Sequence, residues 1–184
     1  ENLAYQARQL LNIAAKRAIA QLVARDVPPR ASLFFGIGTT PEQCALALVD
    51  HPNLRVMTNN LNVVMHLSRN QSCEIVIAGG RVRNLDRDVV AGEAHDFFGK
   101  FSVDIGIFGV GGVAPDGTLL DFSLDEVAMR KALMRHCRQR FLVLDHTKFG
   151  RDATVRGGHI ADATAVYSDR PLPASIQASL DLAG

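Results

Sequence analysis

Residues 32–41, Ser32-Leu33-Phe34-Phe35-Gly36-Ile37-Gly38-Thr39-Thr40-Pro41, decide the fold of this 184-residue chain. The stretch passes from an apolar run, Ser32–Phe35, into a glycine-containing loop and then toward a helix that we expect over Glu42–Leu48. Later apolar runs, spelled IVIA, IGIFG and FLVL, are almost continuously apolar. Runs of this kind are typical of parallel strands that are covered on both faces. The pattern therefore predicts a buried parallel sheet.

Strands and helices are predicted to alternate along the chain. Strands are expected at Ser32–Phe35, Arg55–Thr58, Glu74–Ala78, Asp104–Phe108, Arg140–Leu144 and Ala165–Ser168. Helices are expected at Leu3–Arg25, Glu42–Leu48, Leu61–Ser68, Glu93–Lys100, Leu124–Cys137 and Ala174–Leu182, with an irregular charged loop over Arg81–Val90. This alternation predicts an α/β fold, a mostly parallel sheet flanked by helices.

The composition excludes several classes of protein. Hydrophobic residues make up 47% and charged residues 21%, as in a single globular domain, and no apolar run approaches the ~20 residues that span a bilayer. Lys and Arg number 20 against 19 for Asp and Glu, so the chain lacks the positive field that binds nucleic acid. The three cysteines and the histidines are scattered, which predicts no disulfide framework, no metal site and a cytoplasmic protein.

Polar residues and glycines follow five of the predicted strands. In parallel sheets the carboxyl ends of the strands share one edge, where ligands bind. The five segments are Gly36-Ile37-Gly38-Thr39-Thr40, Thr58-Asn59-Asn60, Gly79-Gly80-Arg81, Gly109-Val110-Gly111-Gly112 and Asp145-His146-Thr147-Lys148. Each segment alone is explained by turn formation. Their coincidence at one edge predicts a site for a polar ligand.

The first of these loops is suited to an anion. We expect Thr39 or Thr40 to cap the following helix, with Pro41 at its first position, so that free N–H groups and the helix dipole favour negative charge. Lys148 can supply a point charge to a phosphate. The alternative is that Thr-Pro only starts a helix and that Lys148, like Arg81, is a solvated surface residue.

Other polar residues at this edge have structural explanations of their own. Ser123 and Glu126 fit a capping box, which alone would explain Glu126, although Glu126 could also bind ligand hydroxyls or act as a base. Asp121 could be a turn residue and Asn60 a helix cap. Two glycine patterns, Gly36-x-Gly38 and Gly109-x-Gly111, lack the helix or acidic residue that a dinucleotide needs, so no NAD site and no other cofactor is predicted.

The ordered set of motifs resembles the effector-sensing domain of DeoR-family bacterial transcription regulators. The motifs are Ala15-Lys16-Arg17, Ile37-Gly38-Thr39-Thr40, Thr58-Asn59-Asn60, Ala78-Gly79-Gly80, Gly109-x-Gly111-Gly112, Glu126-Val127 and Asp145-His146-Thr147-Lys148-Phe149-Gly150. Thr-Asn-Asn, Arg87-Asp88-x-Val90 and Asp-His-Thr-Lys-Phe are most similar to the branch that represses the glycerol 3-phosphate regulon. The resemblance covers nearly the whole chain.

The resemblance implies a fold like ribose-5-phosphate isomerase and the coenzyme A transferases, and a phosphorylated sugar or polyol such as glycerol 3-phosphate as ligand. Gly38, Thr39, Thr40 and Lys148 would hold the phosphate. Contacts to the rest of the ligand would come from Thr58, Asn59, Gly79, Gly80, Asp121 and Glu126. Gly111 and Thr147 stand where many relatives carry Ser, and the change at Gly111 leaves the ligand's identity open.

The resemblance also implies how the domain is used. Residues 1–28 would be a linker helix packed on a sensor domain at 29–184, and the family's N-terminal winged helix-turn-helix is not in this sequence. DNA would be contacted only through that missing module. Because regulators commonly bind paired half-sites, we expect a homodimer or homotetramer. No membrane partner is expected.

Two other functions remain open. Glu126, near Asp121 and Lys148, could serve as the base of a sugar-phosphate isomerase on the same fold. No second unambiguous catalytic residue accompanies it, so we expect a sensor rather than an enzyme and assign no catalytic residue. The second alternative is a purely structural oligomerisation module.

Overall fold

A mostly parallel sheet lies at the centre of the molecule, in a computed structural model that describes residues 4–90 and 96–184. Numbered in chain order, its strands are β1 (Ser32–Phe35), β2 (Arg55–Thr58), β3 (Glu74–Ile77), β4 (Val103–Phe108), β7 (Cys137–Val143) and β9 (Ala165–Tyr167). Within the described residues the sheet has six strands in the order β3-β2-β1-β4-β7-β9, all paired in parallel. The predicted fold class is confirmed.

The chain winds outward from the middle of this sheet in two directions. β1 pairs with β2 on one side, with Leu33 opposite Val56, and with β4 on the other, with Leu33 opposite Ile105. The earlier strands extend one way from β1 and the later strands the other way. Such a reversal separates the loops after two adjacent strands and opens a crevice between them.

Helices cover both faces of the sheet. One face packs against α2 (Ile13–Asp26), α3 (Thr39–Ala47) and α4 (Leu61–Leu67). The other packs against α5 (Leu124–Arg135), α6 (Ala174–Ala183) and the aromatic segment Phe97–Phe101. Successive residues of β1 alternate between these layers, and Leu33, Phe34 and Phe35 are all fully buried. The continuous apolar runs therefore reflect burial on both faces.

A small antiparallel sheet, which the apolar pattern does not predict, lies beside the main one. It consists of β5 (Gly112–Val113), β6 (Thr118–Asp121) and β8 (Val155–His159), in the order β5-β6-β8. The turn between β5 and β6 is closed by a hydrogen bond from Ala114 N to Thr118 O of 2.9 Å, with Gly117 at φ +87°. This turn places Asp121 at the end of β6, three residues before the start of α5.

The first helix was predicted to be continuous, but the structure divides it into two. α1 (Tyr5–Leu10) and α2 are separated at Leu11 and Asn12, where Asn12 adopts the left-handed conformation with φ 55° and ψ 36°. Asn tolerates this conformation better than most residues. The periodicity of apolar residues continues across the break, so the sequence pattern did not indicate that the helix ends there.

Other boundaries also differ from the predictions. Helix α3 begins at Thr39 with Gly38 as N-cap, so Pro41 is its third residue and neither threonine is the cap. β7 begins at Cys137, three residues before its predicted start. The predicted helix at Glu93–Lys100 falls partly outside the described residues, and within them a 3-10 helix covers Phe98–Lys100. Asn60 caps α4 as expected, accepting from the N–H groups of Asn62 and Val63.

None of the helices in the described part of the chain combines the length and the apolar character needed to cross a bilayer. In the same residues, no group of three His, Cys, Asp or Glu side chains is placed to hold a metal ion.

Candidate functional site

A cleft opens at the carboxyl edge of the main sheet, between the loops that follow β1 and β4. Its volume is about 670 Å³ when the part open to solvent is included. Eight of the predicted site residues line it: Gly38, Thr39, Thr40, Gly109, Gly111, Asp121, Glu126 and Lys148. Three of the five predicted loops, those that follow β1, β4 and β7, therefore converge on one cavity.

The N-terminus of α3 forms one wall of the cleft. Gly38 is the N-cap and has φ +120°, a conformation that favours glycine. Glycine has no side chain to occupy the N–H groups of the first turn, and the buried residues Thr39 and Thr40 add hydroxyls there. This end of a nine-residue helix carries partial positive charge. The wall is suited to an anion.

Positively charged side chains line the same cleft. Lys148 lies on the 3-10 helix His146–Lys148, and burial followed by the nearby Arg151 lowers its pKa to about 8. Lys16 and Arg8 lie close enough to lower that pKa further, while Asp145 raises it. Arg8 and Arg151 also line the cleft. The neighbouring cations destabilise the charged form of Lys148, and an anion that enters the cleft would offset this effect.

The basic residues Arg8, Lys16 and Arg151 were not predicted as site residues. Arg8 comes from α1 and Lys16 from α2, at the opposite end of the sequence from Lys148 and Arg151. Lys16 is 97% buried, which is unusual for lysine, and its Nζ donates to the Arg8 carbonyl at 2.6 Å. The available signal was the spacing of Lys16 from Ile19, Ala20 and Val23, which places the lysine on the face of α2 that is buried.

Carboxylates occupy another part of the same cleft. Asp121 accepts a hydrogen bond from Gly111 N at 2.8 Å and two from Arg130, at 2.9 and 3.0 Å. Glu126 accepts from Phe122 N at 3.2 Å and pairs with Arg83 at 3.4 Å. Burial raises the pKa of both carboxyl groups, and Asp121 also raises that of Glu126. Both acids are thus built into the wall, with oxygens available to ligand hydroxyls.

The capping role predicted for Glu126 is present in part. Its backbone N–H donates to Ser123 Oγ at 3.2 Å, as in a capping box. Its carboxylate, however, accepts from Phe122 N rather than from the N-cap residue. The same carboxylate faces the cleft and pairs with Arg83, which in turn holds Asp88 through two bonds of 2.7 Å. Glu126 therefore has a structural role and a place in the site.

A smaller chamber of about 340 Å³ adjoins the cleft and shares Asp121 and Glu126 with it. Asn59, which is 1% exposed, reaches this chamber. Its Nδ2 donates to Val89 O at 2.9 Å, whereas its Oδ1 is buried and has no hydrogen-bond partner among the described residues. A buried acceptor without a partner is uncommon and suits a site that receives a donor from a ligand.

Six of the predicted site residues line neither the cleft nor the adjoining chamber. Thr58 donates to Phe35 O at 2.8 Å and Asn60 caps α4 while donating to Glu42 at 3.2 Å, so both stabilise the sheet edge. Gly79, Gly80 and Arg81 are exposed beyond β3. A Cβ at Gly112 would lie 2.1 Å from Arg151 O, so glycine is needed there for backbone packing.

The sequence matches a known family model over most of its length. The model of the DeoR C-terminal sensor domain matches residues 11–170. The glycerol-3-phosphate regulon repressor of Escherichia coli K12 is 41% identical over 175 residues, which cover 95% of this chain and 69% of the repressor. The HTH-type transcriptional repressor CsqR of Escherichia coli K12 is 35% identical, with 97% and 69% covered. The lactose phosphotransferase system repressor of Staphylococcus aureus N315 is 28% identical, with 92% and 67% covered.

Solved structures share the fold at low sequence identity. The eIF2B delta subunit of Chaetomium thermophilum superposes with a TM-score of 0.63 at 13% identity, over 88% of this chain and 57% of that one. Ribose 5-phosphate isomerase A of Methanocaldococcus jannaschii superposes with a TM-score of 0.55 at 13% identity, over 75% and 55%. The chain thus spans little more than half the length of these structures, and the likeness concerns the fold alone.

Proposed function

This chain belongs to the DeoR C-terminal sensor domain family, and from that premise we propose that its cleft binds a phosphorylated sugar or polyol of the size of glycerol 3-phosphate. One observation carries the proposal: Thr39 and Thr40, at the start of α3, share a cavity with Lys148. A phosphate dianion placed there would accept hydrogen bonds from the helix terminus and neutralise the lysine.

The rest of the ligand would lie toward the carboxylates. Asp121 and Glu126 offer acceptor oxygens, and Asn59 offers an amide oxygen that lacks a partner among the described residues. Ligand hydroxyl groups donate to acceptors of this kind, whereas a second phosphate would be repelled by the acids. We therefore propose a ligand with one phosphate and several hydroxyls.

The regulatory consequence is also part of the proposal. The named relatives are repressors, and one is of the helix-turn-helix type. We propose that ligand binding favours one conformation or oligomeric arrangement of this domain, a dimer or tetramer, and so changes the affinity of an attached DNA-binding segment for its operator. DNA would then be contacted by that segment and not by residues 29–184.

Titration calorimetry with sn-glycerol 3-phosphate tests the binding step. Binding is expected for the phosphorylated compound and not for glycerol at the same concentration. Replacing Lys148 by Ala removes a charge-assisted hydrogen bond and should weaken binding by about 1.5–3 kcal/mol. The exposed Lys131 of α5 does not line the cleft, so Lys131→Ala is the matched control. Equal affinity in the two variants would remove Lys148 from the site.

We also propose that the domain is not an isomerase. The Glu126 carboxylate, the candidate base, is held by Phe122 N and Arg83, and the named relatives are repressors. Incubation with ribose 5-phosphate should therefore produce no ribulose 5-phosphate. Turnover that disappears in Glu126→Gln would establish the enzymatic alternative instead.

A further inference from the structure

Helix α1 supplies part of the wall of the cleft, although it precedes the sheet and belongs to none of its layers. Tyr5 and Arg8 both line the cavity. α1 joins α2 through the left-handed Asn12, whose Nδ2 lies 3.4 Å from both Asp145 Oδ1 and Thr147 Oγ1. The junction between the two helices thus rests on the loop that carries Lys148.

Polar contacts dominate the attachment of α1. Tyr5, the buried residue of this helix, donates its hydroxyl to Glu42 and accepts from Asn62 Nδ2 at 2.7 Å. Arg8 forms an ion pair with Asp86. Leu10 is 75% exposed and adds little apolar contact. Segments with few buried apolar contacts open at lower free energy than the core does.

The charge of the cleft acts directly on this attachment. Arg8 and Lys16 both lie close enough to Lys148 to lower its pKa. The three positive charges therefore repel one another. Asp86 attracts Arg8, while the neighbouring cations repel it. A phosphate between Arg8 and Lys148 would turn the repulsion into attraction, because both cations would then face a common anion.

We propose that α1 is a strap whose Arg8 contacts the anionic group of the ligand, so that binding fixes α1 against the cleft and makes its order a measure of occupancy. This inference rests on the proposed function. A guanidinium has five N–H donors, so Arg8 can keep Asp86 and bind a phosphate oxygen together. Whatever precedes α1 in a longer chain would sense the ligand through the position of this helix.

Hydrogen–deuterium exchange of the 184-residue chain, with and without saturating sn-glycerol 3-phosphate, tests the strap. Amides of residues 5–12 should exchange at least several-fold more slowly with ligand, at labelling times so short that the buried amides of residues 105–108 in the central strand remain unexchanged in both states. Arg8→Gln should lose this protection and bind about tenfold more weakly, the loss of roughly one charge-assisted hydrogen bond. Arg17→Gln removes the same charge at an exposed position of α2. This control variant should keep both the protection of residues 5–12 and the affinity for the ligand.

The two proposals fail in different ways. If the wild-type chain does not bind glycerol 3-phosphate, the proposed function is overturned and the strap with it. If binding occurs and depends on Lys148, but residues 5–12 exchange at the same rate with and without ligand, or Arg8→Gln binds as tightly as wild type, only the strap is overturned.

A second variant examines the attachment itself without altering a charge. Tyr5→Phe keeps the ring and removes the hydroxyl between Glu42 and Asn62. Exchange of residues 5–12 should then be faster in the absence of ligand, with protection restored at saturation. Exchange equal to that of the wild type would show that the hydroxyl does not hold α1, and would overturn the strap as described.

Discussion

At the scale of single residues, the environment of Lys148 predicts how ligand affinity depends on pH. Burial and neighbouring cations lower the pKa of this lysine to about 8 in the free protein, and a bound anion would raise it. Affinity should therefore be full below pH 8 and fall, by up to about tenfold per pH unit, as pH rises above that value. Calorimetry with glycerol 3-phosphate between pH 7 and 9.5 measures this, since the phosphate stays doubly charged there.

The control for this prediction is Lys148→Arg. Arginine stays protonated across the whole interval, so its affinity, even if lower at neutral pH, should not vary with pH. An equally steep decline in this variant would assign the titration to another group of the cleft.

The Asp121–Arg130 pair predicts a large effect on stability. Arg130 is 6% exposed, and Asp121 Oδ2 accepts from both its Nε and its Nη2. Asp121→Asn leaves a buried cation without its counter-charge, which should cost about 3–5 kcal/mol in free energy of unfolding. Urea denaturation measures the loss. Asp50→Asn, at an exposed position, should change stability by no more than about 0.5 kcal/mol.

Residue types at strand ends indicated part of the site because parallel topology dictates where those ends meet. Thr39 and Lys148 could be predicted in this way, since each follows a predicted strand, and Glu126 lies in the first turn of a predicted helix. Asp121 was indicated only by the resemblance, because β6 was not predicted. Arg8 and Arg151 could not, because α1 and the segment after Lys148 are positioned by tertiary contacts that no local pattern records. Thr58 and Gly79 stand at the same edge but outside the cleft, since a sheet edge is longer than its ligand site.

At the scale of elements, close backbone packing at Gly112 predicts a coupled loss. A Cβ there would meet the carbonyl of Arg151 in the segment that follows Lys148. Gly112→Ala should therefore push β5 away from that segment, lowering the free energy of unfolding by about 1–3 kcal/mol and weakening ligand binding as well. Denaturation and calorimetry on the same preparation measure both.

Gly79→Ala is the matched control, and it also tests Gly79 as a ligand contact. A Cβ at Gly79 would have no heavy atom within 4 Å, and its φ requires no glycine. Stability and affinity should both stay at the wild-type level. A loss of affinity without a loss of stability would return Gly79 to the site.

The predicted strands and helices agree best with the structure where burial alone determines their bounds. β1 and β2 have their expected bounds because their apolar residues are buried on both faces of the sheet. β5, β6 and β8 were missed because they are short, because β5 and β8 contain glycine, and because all three form by pairing with one another, which a local pattern does not show. The break at Asn12 depends on one residue's left-handed backbone and on its contact with the Lys148 loop.

At the scale of the whole molecule, ligand binding should raise the stability of the entire domain. A ligand at 100 times its dissociation constant adds about 2.7 kcal/mol to the free energy of unfolding. For a domain of this length that corresponds to a rise in Tm of roughly 5–10 °C. Differential scanning fluorimetry with glycerol 3-phosphate, against glycerol as control, measures the shift, and equal melting curves would contradict binding in the cleft.

The reversal of winding at β1 and β4 also decides when a working cleft can exist. Its walls are drawn from residues as far apart in sequence as Tyr5 and Arg151, with β1 and β4 between them. A nascent chain on the ribosome, or a proteolytic fragment that ends before Arg151, therefore lacks part of the cleft wall. We expect such a chain to have no affinity for the ligand. Ligand binding should begin only after Arg151 has been synthesised, so that no incomplete chain responds to the metabolite.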